Sequence, residues 1–144
     1  MKSLVLGFSL FVVVSLAVAT QPQQTSDETA IRSTVTNYIE GYYTGDADRM
    51  ERSLHPHYLK HTISGSGGQI RMTEWTGLQL VQEVRSAGPA KLPPTDRKQQ
   101  ITVLDIAGDV ASAKLETAHW VDYLTLSKWH GDWKIVSVVL REND

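Results

Sequence analysis

Apolar positions along this chain change their spacing partway through, and the change marks a switch from helices to strands. From Thr25 to Asp46 the spacing is helical, with Ile31, Val35, Tyr38, Ile39 and Tyr42 on one stripe. Thr25 and Glu28 stand at capping-box spacing, and Gly45 is the expected stop. Asp46 can cap a short second helix through ADRMERSL, which must end near His55-Pro56 because the residue before proline avoids helical backbone. HYLKHTI reads as an extended strand and SGSGG as a flexible link. A third helix is expected from Thr73 or Thr76 to Ser86, with Leu78, Val81 and Val84 inward, and GPAKLPPTDRK is a proline-punctuated loop.

From Gln99 onward the period falls to that of strands. Gly108-Asp109 and Gly131-Asp132 are two-residue turn candidates between β-branched and aromatic runs, which predicts an antiparallel meander of about four strands. VASAKLET alternates, with Ala111, Ala113 and Leu115 on a dry face and Ser112, Lys114 and Glu116 on a wet one. The strands around Gly131 are apolar on both faces: Trp120, Leu124 and Leu126 oppose Val121, Tyr123 and Trp129, and Ile135 and Val139 oppose Val136, Val138 and Leu140. Helices can cover only one side of such a sheet. The other side calls for a second copy of the chain, so a homodimer through the sheet is expected.

Composition refines this picture at the N-terminus. One positive charge at Lys2, an apolar run from Leu4 to Ala19 and the small-x-small ending Ala17-Val18-Ala19 form the pattern of a cleaved secretory signal over residues 1–19. The expectation is an exported protein, periplasmic or secreted, beginning near Thr20 and without stable membrane insertion after cleavage. Residues 20–29 then form a leader and residues 30–142 a single domain. The sequence has no cysteine, so packing alone must hold the fold. Its formal charge of −2, with both signs interspersed, argues against a nucleic-acid surface.

Two helices, a strand, a third helix and a meander, carrying YIEGYYTGDADRMERSLHP, ITVLDIAGDVASAKL and WVDYLTLSKWHGDWKIV, resemble the nuclear transport factor 2-like superfamily and, within it, the bacterial families labelled putative lumazine-binding. The resemblance implies an α+β cone, three helices packed on a strongly curved, mainly antiparallel sheet that encloses a semi-apolar pocket. It implies binding of a small aromatic or planar molecule. The superfamily also holds ketosteroid isomerases, polyketide cyclases, dehydratases and protein-interaction modules, which are the alternatives.

Proton-transfer relatives use a carboxylate on the strand after the second helix. Here no Asp or Glu occurs between Glu51 and Glu74; His61 or His57 is the substitute in that strand, and the proton-transfer alternative would use His61 or Asp122 with a tyrosine. His55, His57 and His61 are evenly spaced, but Pro56 disturbs their geometry and no acidic residue is near in sequence, so no metal or cofactor is expected. The candidate pocket residues are Tyr38, Tyr42, His61, Trp75, Trp120 and Asp122. Asp122 is the most unusual of them, an aspartate in an apolar strand. A hairpin turning at Gly131-Asp132 would place Arg141 opposite it as a structural partner.

Overall fold

A computed structural model describes residues 22–65 and 68–143. The expected signal segment lies outside the described residues. The elements are α1 (Pro22–Thr44), α2 (Ala47–Ser53), β1 (Leu54–Ser64), β2 (Arg71–Thr76), α3 (Gly77–Ala87), β3 (Gln100–Ala107), β4 (Val110–Glu116), β5 (Trp120–Trp129) and β6 (Asp132–Glu142). The strands form one sheet in the order β2-β1-β6-β5-β4-β3, antiparallel except between β1 and β6. The three helices pack on one face of it, and the core lies between the two layers.

Local chemistry sets most boundaries. The Asp46 carboxylate accepts the Arg49 N–H at 2.9 Å and starts α2. Thr76 and Gln79 form a full capping box that starts α3. Gly108-Asp109 turns β3 into β4, leaving Ala107 opposite Val110. Ala111, Ala113 and Leu115 are buried as their alternation requires.

Four expectations need correction. Helix α1 begins at Pro22, so most of the expected leader belongs to it, and its buried Asp27 accepts from Trp133 Nε1 and Lys128 Nζ. Residues 71–76 form strand β2 along the edge of β1, because the cap at Thr76 holds the helix back to Gly77. Leu78, in the first turn of α3, is 68% exposed. The last hairpin turns at His130-Gly131, whose φ values of 51° and 90° make the mirror-image turn that suits strand twist. One extra residue, Val136, then bulges from β6 between the partners of Leu126 and Thr125. That bulge puts Ile135, Val138 and Leu140 on the inner face and leaves Val139 outside.

Candidate functional site

The inner face of β5 presents Asp122, which is 0% exposed. Its cross-strand neighbours are Leu115 on β4 and Leu140 on β6. The expected pairing with Arg141 does not form, because the earlier turn and the bulge set Arg141 opposite Val121, one step along and on the other face. The cation that does approach is Lys60 of β1, with Nζ 4.0 Å from Asp122 Oδ1. Trp120 Nε1 donates to Oδ2 at 3.2 Å, whereas Oδ1 is buried and accepts no hydrogen bond.

Strand alternation brings Lys60 inward. Tyr58, Lys60 and Thr62 share the inner face of β1, and the Lys60 side chain is only 12% exposed. Its ammonium donates to the Tyr38 hydroxyl at 3.0 Å and sits 5.7 Å from the centre of that ring. The Tyr58 hydroxyl donates to the same oxygen at 3.4 Å. The Tyr38 hydroxyl is thus the shared centre of contacts to Lys60 and Tyr58.

These groups stand in a cavity of about 220 Å³ between the helices and the sheet. Tyr38, Lys60, Thr62, Asp122 and Glu142 are polar groups of its lining, and Ile39, Met50, Leu80 and Leu140 supply apolar wall. Tyr42 and Trp120 also line it and meet edge to face, with ring centres 5.7 Å apart and planes at 88°.

Burial governs the protonation of the cluster. It pushes the Asp122 carboxyl above its ordinary value, while Lys60 and the Trp120 bond pull the other way. It pushes the Lys60 ammonium down, opposed by Asp122. Burial and the nearby acidic groups hold the Tyr38 phenol well above its ordinary value, so it stays protonated through neutral pH.

Of the residues singled out from sequence, Tyr38, Tyr42, Trp120 and Asp122 come together in this cavity. His61 does not. It lies on the outer face of β1, with Nε2 3.2 Å from Glu74 Oε2 on β2. Trp75 stands opposite Lys60 on β2 but is not part of the cavity lining. His55 packs against His57 and Trp129 at 5.6 and 4.6 Å between ring centres, away from His61, and no three metal-ligating groups cluster among the described residues. Lys60 is the cavity residue that sequence reasoning missed. The signal was its even spacing from Tyr58, the buried aromatic of the same strand.

Comparison with known proteins follows the same lines. The family model described as putative lumazine-binding matches residues 26–141. A nuclear transport factor 2-like protein of unknown function from Shewanella baltica superposes with a TM-score of 0.66 at 19% identity, over 88% of this chain and 99% of that one. One from Silicibacter pomeroyi gives 0.64 at 19% identity, over 83% and 98%. A ketosteroid isomerase-like protein from Erwinia carotovora gives 0.54 at 11% identity, over 81% and 95%. A search of curated proteins found no match. At these identities the solved structures carry the fold, and the family model carries the family.

Proposed function

This chain belongs to the putative lumazine-binding family, on the nuclear transport factor 2-like fold, and from that premise we propose that it is an exported small-molecule-binding domain whose cavity takes a planar ligand by a polar edge. The observation that carries the reading is Asp122 Oδ1, a buried acceptor without a donor. Leaving such a group unsatisfied costs about 1–3 kcal/mol, which a ligand N–H or O–H would recover. Lys60 and Tyr38 are donors beside it, suited to a carbonyl oxygen on the same ligand edge. A donor adjacent to a carbonyl is the edge of a lactam or imide heterocycle, and lumazine, the ligand in the family's description, has that edge.

Size narrows the class further. Pockets for drug-sized ligands hold about 300–1,000 Å³. A cavity of about 220 Å³ suits one or two fused rings rather than a steroid. Tyr42 and Trp120 offer aromatic faces and edges to such rings. Export is supported by the apolar run from Leu4 to Ala19 and its small-x-small ending. No helix among the described residues is long and apolar enough to cross a membrane.

Isothermal titration with lumazine tests this reading. Saturable binding is expected, weaker by roughly tenfold for the fully N-methylated compound, which cannot donate to Asp122. No saturable heat, or equal affinity for both compounds, would overturn it.

A second reading, proton transfer next to a carbonyl, is favoured by Asp122 itself, because a carboxyl that burial raises is a stronger base than an ordinary one. Deuterium incorporation into a bound ketone, lost in Asp122→Asn, is its expected signature.

A further inference from the structure

Lys60 stands out from the other described lysines because its largely buried amine lines the partly apolar cavity that also holds Tyr38 and Asp122. An ordinary buried ion pair would close to hydrogen-bonding distance, since charges removed from water need both pairing and hydrogen bonds. This one does not: Nζ and Oδ1 are 4.0 Å apart and Oδ1 accepts nothing. The amine makes its 3.0 Å bond to the Tyr38 hydroxyl instead, and both groups face the same cavity. A largely buried amine, a phenol and a carboxyl oxygen whose lone pairs accept no hydrogen bond are the three parts that carbonyl condensation requires.

We propose that Lys60 is a nucleophile that forms an imine with the carbonyl carbon of a small planar aldehyde or ketone bound in this cavity. The proposal rests on the reading that the cavity admits a small planar molecule, and it adds a reactive group to that molecule. In its neutral form, Nζ adds to the carbonyl carbon as the π pair moves to oxygen. Tyr38 protonates that oxygen and becomes a phenolate, one proton leaves nitrogen for Asp122, and its passage on to the phenolate restores both groups. Loss of water from the resulting carbinolamine carries away the second nitrogen proton and leaves C=N. The two hydrogens of the amine thus depart with the carbonyl oxygen as one water, and no oxidant or reductant enters. Burial also lowers the proton affinity of Lys60, which enlarges the neutral fraction that the first step consumes.

The test uses 6-methoxy-2-naphthaldehyde, whose two fused rings match the cavity, with sodium cyanoborohydride added to reduce any imine to a stable amine. Intact mass should rise by one reduced probe at neutral pH. Peptide mapping should place most of it on Lys60 rather than on the surface Lys91, Lys98, Lys114, Lys128 or Lys134, and Lys60→Arg, which keeps the charge beside Asp122, should lose it. Binding of the probe is followed separately by calorimetry without cyanoborohydride. Saturable binding with no adduct on Lys60 overturns the nucleophile and leaves the pocket reading standing. Neither binding nor adduct overturns both. Labelling spread evenly over the lysines overturns the proposal even if Lys60→Arg fails to fold, because the mapping is done on the unaltered protein.

Discussion

At the scale of single residues, Lys60 and Asp122 can be separated by what each does to the other. Removing one partner of a buried pair strands the remaining charge, whereas removing both can cost nothing. Lys60→Met alone is therefore expected to lose about 3–5 kcal/mol in urea unfolding at neutral pH, and Lys60→Met with Asp122→Leu to recover most of it. Independent, additive losses would show that the two do not interact. The pH dependence has a definite sign. Asp122 titrates higher in the folded protein than unfolded, so the stability linked to it is present at low pH and is lost as pH rises through its raised value. Lys60 holds that loss down in the wild type. The deficit of Lys60→Met should accordingly grow as pH rises above the ordinary carboxylate value of about 4, and a deficit independent of pH would remove Asp122 as its source.

At the scale of elements, the crossing of α1 and α2 fixes how Tyr38 and Met50 share the cavity wall. Gly41 makes that crossing possible, since a Cβ there would lie 2.8 Å from the Met50 backbone nitrogen and 2.9 Å from its Cβ. Alanine would favour the helix by about 1 kcal/mol, but overpacking against backbone costs about 1–3 kcal/mol. Gly41→Ala should thus lower the urea midpoint and weaken ligand binding together. An unchanged midpoint would mean that α2 yields freely. These helices were legible in sequence because each obeys a local rule: an apolar stripe in α1, an Asp46 cap for α2, Val81 and Val84 inward in α3, whose start the sequence left between Thr73 and Thr76. The strand alternation of β4 was equally plain. What stayed hidden depends on neighbours. The edge strand β2 carries no alternation of its own and forms by pairing with β1. The Val136 bulge has no signature in the residues around it, yet together with the turn at His130-Gly131 it decides that Asp122 faces Leu140, where that turn alone would have set it opposite Val139. Lys60 meets Asp122 only across β6, the strand that separates them, and no local pattern announces such a contact.

At the scale of the whole molecule, the helices leave the outer sheet face uncovered, and it is more apolar than a solvated face needs to be. Tyr123 and Val139 stand directly opposite each other on β5 and β6, 53% and 42% exposed. Val121 lies beside them on the same face, and a second apolar pair, Ile63 and Met72 on β1 and β2, lies beyond Arg141, which stands between Val121 and Ile63. Around it sit charges of both signs, the His61–Glu74 and Lys114–Glu116 pairs. A mixed rim around an apolar centre suits contact with an identical surface, because each charge can meet its opposite across a two-fold axis. We propose that this face closes on a second copy of the chain. Sedimentation equilibrium at micromolar concentration should then give twice the chain mass. Tyr123→Glu with Val139→Glu should give a folded monomer, since the two sites are side by side on an exposed face and carboxylates of one sign would be buried unpaired in the contact. The pocket opens on the opposite face, so lumazine binding by that variant should persist. A wild-type monomer, or a dimer indifferent to both substitutions, would place the contact elsewhere or nowhere on this sheet.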